Sequence, residues 1–228
     1  MNENQCMARL LASAVHDMRN ILAIVRESAG LAQDIAAFAA GQKAAKDGAG
    51  LSARGDRIVA SLEEVQRAVQ QGAALSEAMD YMAQAGGADG RNTSGPCDLT
   101  RTCRSFQLLA ARQARAVQMV LINGETEEPV WINAPALNVL RSLLEVFDLC
   151  AAVGGQVTLR FTAGRLHKQE GIVVDVLDGP NREMVLAVLT GAHVLSTMPS
   201  GWKAALMPWR DTGSRYFLSL VASETDNQ

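Results

Sequence analysis

The chain has 228 residues, 48% of them hydrophobic and 20% charged, a formal net charge of −3 and only 4% aromatic residues. That composition folds rather than staying disordered, and the length suits one large domain or two small ones. A pI near 5.7, no Lys/Arg-rich stripe along the sequence and few rings for base stacking argue against a nucleic-acid binder. No stretch approaches eighteen consecutive apolar residues without charge, and the N-terminus has no apolar core of signal-peptide type, so no membrane segment is expected. Cys6, Cys97, Cys103 and Cys150 have the spacing of neither a zinc site nor a disulfide framework, and read as free thiols in a reducing cytoplasm.

A first helix is predicted from about residue 4 to about residue 40. Leu11, Val15, Met18, Leu22, Val25, Ala29, Ala32 and Ala36 follow one another in alternating steps of four and three, the seam of a coiled coil or helical bundle. Ile21, Ile24, Ser28, Leu31 and Ile35 make a second line beside it. Residues 41–50 hold three glycines and read as a loop. A second helix is expected from about 51 to about 85, striped by Ile58, Leu62, Val65, Val69, Ala73, Ser76, Met79 and Met82 or Ala83. Two such helices form an antiparallel hairpin. Each apolar face is too wide for one partner helix, so the hairpin should pair with a copy of itself in a two-fold four-helix bundle.

Residues 86–97 are a linker by composition, and the periodicity then changes. Asp98 is a plausible N-cap for a helix over about 99–115. Strands are expected at 117–122 and 129–133, with a turn at Asn123-Gly124. A helix follows over 135–152, ended by Gly154-Gly155. Paired strands at 156–162 and 171–177, a short helix at 181–190 and a closing strand at 214–221 complete an α+β sandwich.

His16 lies one residue past seam position Val15, about a quarter turn off the buried line. Arg19 and Asn20, three and four residues on, share its face. Ala12, Ser13 and Ala23 flank it, and all three are small, so a second protein could bring its backbone close to the imidazole. A histidine beside a helix seam is also an ordinary boundary residue. The adjoining carboxylate of Asp17, the Arg and Asn at helical spacing and the small surroundings set this one apart. His167 falls in a polar hairpin turn, and His193 and Cys150 read as structural. Trp202 and Trp209 read as packing before they read as a docking surface.

A hairpin carrying His16-Asp17-Met18-Arg19-Asn20, a linker, then a mixed domain closing on Gly213-Ser214-Arg215-Tyr216-Phe217-Leu218 resembles the core of bacterial sensor histidine kinases. There the hairpin dimerises and bears the phospho-accepting histidine, and the second domain is an ATPase of the Bergerat (GHKL) fold. The resemblance implies three parts. Residues 1–85 form the dimerisation and phosphoacceptor hairpin, 86–97 the linker, and 98–228 a degenerate, Bergerat-like α/β sandwich. The ATP motifs do not follow. Where the family has a magnesium-binding Asn stands Val146, or Glu145 with a shift of one. The Asp-x-Gly-x-Gly box falls on Leu177-Asp178-Gly179-Pro180-Asn181, with Leu177 at the adenine-binding position. Sliding the frame to Asp175 or Asp178 misplaces the glycines. Residues 190–205, the place of the lid, hold no Gly-x-Gly. A phosphate cradle needs glycines that let backbone N–H groups reach the phosphates, so no useful ATP affinity is expected.

A kinase-like scaffold that keeps the histidine and lacks the nucleotide site is similar to the dimeric histidine phosphotransferases, of the ChpT type and of bacillar sporulation. That similarity implies a cytoplasmic homodimer relaying a phosphoryl group between receiver-domain aspartates. Its partners would be an upstream hybrid histidine kinase and response regulators, with no nucleic acid and no membrane. It would need no cofactor of its own, since Mg2+ would be supplied by the partner receiver. His16 would be the nucleophile. Asp17 would fix its tautomer or serve as a solvated surface carboxylate. Arg19 would offset phosphoryl charge, pair with an acidic partner surface, or be a plain surface residue. Asn20 falls where the family positions water or the receiver's magnesium. The rival readings are an ATP-dependent histidine kinase with divergent nucleotide motifs and a non-catalytic dimeric adaptor or kinase regulator.

Overall fold

The computed structural model describes residues 2–41, 48–85, 96–126, 128–192, 194–197, 202–209 and 213–222. Helices α1 (Glu3–Gly41) and α2 (Gly48–Ala85) come first. Then follow β1 (Cys97–Asp98), α3 (Leu99–Ala116), β2 (Val120–Asn123), β3 (Trp131–Ile132), α4 (Ala136–Ala152), β4 (Thr158–Leu166), β5 (Gln169–Val176), α5 (Arg182–Gly191), β6 (Val194–Thr197), β7 (Trp202–Pro208) and β8 (Arg215–Ala222). The chain divides into two units, one of Met1–Ala14 with Ala78–Gln228 and one of Val15–Glu77.

The larger unit is α+β. Its mixed six-stranded sheet runs β2-β4-β5-β8-β7-β6, and β1 pairs with β3 apart from it. Strand β2 lies parallel to β4 and the remaining pairs are antiparallel. Alternation along the strands separates two faces. Leu159, Phe161 and Ala163 of β4 stand opposite Val176, Val174 and Ile172 of β5, all of them buried. Phe161 meets Phe106 of α3 edge-on, ring centroids 5.6 Å apart, so this is the face that the helices cover. The other face carries Arg160, Asp175 and Arg215, directly opposite one another across β4, β5 and β8.

Local chemistry sets the helix ends. The Asp98 carboxylate accepts hydrogen bonds from Thr100 N (2.9 Å) and Arg101 N (3.1 Å), which satisfies donors that the first turn of α3 leaves open. Helix α4 starts after Pro135, an N-cap that offers no side-chain hydrogen bond. It stops at Gly154 and Gly155, both at positive φ. Leu137–Leu144, Val146, Phe147 and Cys150 are all buried, so α4 is enclosed on nearly every side. At the β4–β5 turn, His167 and Lys168 take φ of 50° and 70°, the two left-handed residues of a tight hairpin.

Two expectations are corrected here. The stretch after residue 190 was expected to hold a degenerate lid. It supplies strands β6 and β7, which pair with each other, while β7 pairs with β8. Strand β4 also runs on to Leu166, four residues past the expected end. Trp209 packs edge-on against Phe217, centroids 6.1 Å apart. His193 lies outside the described residues.

In the smaller unit α1 and α2 form the hairpin. Its seam is built of small residues: Ser28 and Ala32 from α1, Ser61 and Ala68 from α2, with Leu75 beyond them. Ser28 Oγ donates to Glu64 Oε2 at 2.7 Å, and Gly72 faces Ile21 and Met18. The single apolar line expected along α1 therefore splits in two. Met18, Val25 and Ala32 turn towards α2. Val15 and Leu22 face outward on the adjoining flank, as do Leu62 and Val69 of α2, and Leu22 is 60% exposed. The seven-residue period marks an apolar side but does not say which edge of it a given neighbour will take.

All four cysteines are free and buried. Burial pushes the Cys6 thiol from an ordinary 9.0 up to about 11, against the opposing pull of Arg141 and Arg9. It pushes Cys150 up to about 12, and raises Cys97 and Cys103. Between pH 9 and these raised values the unfolded chain releases thiol protons that the folded chain keeps, so stability falls as pH rises. We expect the urea midpoint to hold level from pH 7 to about 8.5 and to drop from about pH 9 upward. The drop should be shallower in Cys150→Ala, and a midpoint that stays flat to pH 10.5 would contradict the account.

Candidate functional site

His16 lies on α1 on the side away from α2. Its side chain is 44% exposed, whereas that of Asp17 is 15% exposed. Asn20, one turn on, brings its side-chain nitrogen to 3.3 Å from His16 Nδ1. Asp17 Oδ1 stands 3.9 Å from the same ring nitrogen, beyond hydrogen-bond reach but close enough to act on the charge of the ring. Arg19 is exposed on the neighbouring side of the helix. Of the four residues read from the sequence, His16, Asp17 and Asn20 thus converge on Nδ1. Arg19 shares the surface without joining them. As the amide is placed, Asn20 donates to an unprotonated Nδ1, and the ring proton sits on Nε2. Turning the amide by 180° makes its oxygen accept from Nδ1–H and frees the Nε2 lone pair, at the outer tip of the ring, for attack on an electrophile. Ala12 is exposed and Ala23 half-buried, so little side-chain bulk guards that tip.

Seven residues before His16, on the same stripe of α1 to within about 20°, stands Arg9. It belongs to the larger unit. Arg9 Nε donates to Gln113 Oε1 of α3 at 2.6 Å, and its terminal nitrogen donates to Asp148 Oδ2 of α4 at 2.6 Å. Gln113 Nε2 returns a bond to the Arg9 carbonyl at 3.3 Å, and the guanidinium lies over the Phe147 ring at 5.9 Å. Nothing in the local sequence marks Arg9. Its partners lie more than a hundred residues away, and only the fold joins them.

The places that the resemblance matches to nucleotide motifs differ in burial: Val146 and Glu145 lie in the packed helix α4, whereas Asp178, Gly179 and Pro180 are exposed and line a space of about 240 Å³ with Gln156 and Thr158. Val146 is fully buried. Glu145 accepts from Arg141 Nε at 3.1 Å within α4. Arg182 Nε donates to the Leu177 carbonyl at 3.0 Å. A Cβ on Gly179, at φ 138°, would strike the Gln156 carbonyl oxygen, so this glycine serves a close approach of backbone to backbone. Asp175 lies on the sheet face away from the helices, its carboxylate held by Arg160 Nε at 3.1 Å and by Arg215 Nε. Val185 and Leu189 of α5 are buried, and Tyr216 Oη ties the same helix to the sheet by donating to the Leu186 carbonyl at 2.9 Å.

One surface feature escaped the sequence reading. Helix α3 contains Arg101, Arg104, Arg112 and Arg115 and no acidic residue. All four arginines are exposed. Their spacing looks scattered along the chain, but at 3.6 residues per turn they fall on one outer face, so the expectation of no basic stripe is corrected. Among the described residues no group of three or more His, Cys, Asp or Glu is placed to hold a metal ion, and no helix is long and apolar enough to cross a membrane.

Neither a protein-family model nor a curated protein matches the chain. Several solved structures are similar to it. One is a bacterial phosphotransferase, 14% identical with a TM-score of 0.36, the match covering 97% of this chain and 98% of that one. Another is the histidine kinase ThkA in complex with the response regulator TrrA, 14% identical with a TM-score of 0.37, covering 96% of this chain and 62% of the other. A third is the catalytic domain of ThkA alone, 11% identical with a TM-score of 0.37, covering 57% and 95%. At such identities chemistry has to be read from this chain's own residues.

The Arg9 contacts tie the start of α1 to α3 and α4. The pair with Asp148 is more than a third exposed on both sides, so solvent screens it and it contributes about 1 kcal/mol. We expect Arg9→Ala to leave global unfolding nearly unchanged and to raise amide hydrogen exchange over residues 6–14 roughly fivefold, with exchange over 65–75 unaltered. Unchanged exchange in α1 would show that apolar packing of Cys6 and Leu10 suffices.

Proposed function

We propose that the chain is a homodimeric histidine phosphotransferase of the kinase-like, ChpT type, relaying a phosphoryl group between receiver-domain aspartates in a bacterial two-component phosphorelay. The observation that carries this reading is the imidazole of His16, 44% exposed on the outer side of a helical hairpin, with Asn20 beside its Nδ1. In the forward step the Nε2 lone pair attacks the phosphorus of the donor's aspartyl phosphate. The N–P bond forms as the P–O bond to the aspartate breaks, and the carboxylate leaves with the electron pair. The phospho-imidazole keeps its proton on Nδ1, where the Asn20 amide oxygen accepts it and Asp17 offsets the positive charge of the ring. Transfer to the second receiver runs the same bonds in reverse. Mg2+ belongs to the receiver's acidic site, and the exposed Arg19 is available to the phosphoryl oxygens.

The full burial of Val146, where the family has its magnesium-binding Asn, and the sequence departures at Leu177 and Asn181 support a relay over an ATP-dependent kinase. The outward flank of Val15, Leu22, Leu62 and Val69 supports self-association. An apolar strip shared by two long helices is the surface that a second copy would bury in a four-helix bundle. A cytoplasmic setting accords with buried thiols that form no disulfide.

Radiolabelled ATP and magnesium test the chemistry. The protein alone should acquire no label. With a hybrid kinase whose receiver is already phosphorylated, it should become labelled at His16, and His16→Ala should abolish labelling in full. Label without the kinase would favour a working nucleotide site, and failure with every receiver tried would favour a non-catalytic adaptor.

The dimer has its own check. Sedimentation or light scattering should give twice the chain mass of 24.3 kDa at micromolar concentration. Leu22→Glu should shift the protein to monomer while its circular dichroism stays that of the parent. A monomeric parent would remove the four-helix bundle from the reading.

A further inference from the structure

The face of the sheet turned away from the helices holds a cavity of about 280 Å³, lined by Glu125 of the loop after β2, Arg160 and Thr162 of β4, Val173 and Asp175 of β5 and Arg215 of β8. Arg160 and Arg215 stand on the strands either side of β5, their backbones about 9.5 Å apart. Both side chains converge on one carboxylate. Arg160 Nε donates to Asp175 Oδ2 at 3.1 Å, and Arg215 Nε donates to Oδ1. The Asp175 side chain is only 8% exposed, whereas each arginine side chain is 37% exposed. One cation would neutralise that buried carboxylate. The second leaves the triplet with a net positive charge in an open cavity. Each guanidinium gives Asp175 only its Nε, and its terminal nitrogens have no acceptor among the described residues. Arg215 is further held by the Trp209 ring, 5.8 Å from its centroid. Glu125, the other carboxylate of the lining, is exposed and forms no ion pair with either arginine. Two guanidinium forks are thus fixed in advance with most of their donors unspent.

We propose that this cavity is a binding site for a small tetrahedral oxyanion, free phosphate or the phosphate end of a small monoester, bridging Arg160 and Arg215. Its oxygens accept from the terminal nitrogens of both guanidiniums and from the Thr162 hydroxyl, while Asp175 holds the two forks from behind. Charge-assisted, two-pronged bonds of this kind suit a phosphate. A planar carboxylate is matched by one guanidinium and gains little from the second. Glu125 works against the anion, so removing its charge should tighten binding. Nothing in this site depends on the phosphotransfer reading or on His16.

Inorganic phosphate and glycerol phosphate are the probes, titrated at neutral pH and constant ionic strength into the full chain labelled with nitrogen-15. The chain carries His16→Ala, which removes any response from the imidazole. The Nε–H signals of Arg160 and Arg215 should shift together along one saturating curve, and acetate or chloride at the same concentrations should not move them. Glu125→Gln should tighten phosphate binding roughly threefold. Thr162→Val should weaken it roughly threefold. Arg160→Lys should weaken it roughly tenfold, because lysine still pairs with Asp175 but has no fork. Glu125→Gln and Thr162→Val leave both partners of Asp175 in place, so they decide the proposal even if Arg160→Lys fails to fold. Tighter binding of glycerol phosphate than of inorganic phosphate would assign the site to a monoester, and the reverse order to the free ion. Shifts that do not saturate by roughly 10 mM phosphate would overturn the proposal. So would shifts that acetate reproduces, or an affinity that is the same in Glu125→Gln and Thr162→Val as in the parent, since either would mean only general screening of exposed guanidiniums.

Discussion

The Arg9 guanidinium joins the start of the first helix to two others, beside the fully buried Cys6 and Leu10 of the same helix. It bonds Gln113 and Asp148 and covers Phe147, so a single planar cation joins α1 to both α3 and α4. Arginine suits this role better than lysine, because its fork addresses two acceptors at fixed angles while its flat face rests on a ring. Seven residues on, the same stripe of α1 bears His16. His16 thus stands on a helix rather than a loop, and elements of this kind hold a side chain more closely than loops do.

The larger unit keeps the layers of an α/β sandwich while giving its interior to packing. Helix α4 is buried on nearly all sides, α5 is drawn down by Val185, Leu189 and the Tyr216 hydroxyl, and Gly179 lets two backbones touch. Each of these is ordinary core physics.

Much of the fold could be read from the sequence. The two long helices, the cap at Asp98, the stop at Gly154-Gly155 and the polar hairpin at His167 each rest on local chemistry, which acts at the same residues in any context. Strands β6 and β7 were missed because their alternation, with Ala204 and Leu206 inward and Lys203 and Met207 outward, is short and lies where the resemblance called for a lid. The seam was found but its division was not. Which apolar edge of α1 meets α2 depends on how closely Ser28, Ala32, Ser61 and Ala68 let the helices approach, a property of both helices at once. At the site, His16 and Asn20 share a face by spacing alone, and the sequence shows it. Arg9 and the α3 stripe could not be seen in that way, the first because its partners are distant and the second because a helical period has to be applied before the charges align.

Asp175 has a bearing on folding as well as on packing. Its carboxylate lies between Arg160 and Arg215 on the two flanking strands, while its neighbours Val174 and Val176 point into the core. A slip of β5 by one residue would exchange the faces, sending the carboxylate into the apolar layer and setting a valine between two guanidiniums. Any misthreaded sheet would then contain an unpaired buried charge on one side and two mutually repelling cations on the other. The triplet therefore penalises the nearest wrong register of β5.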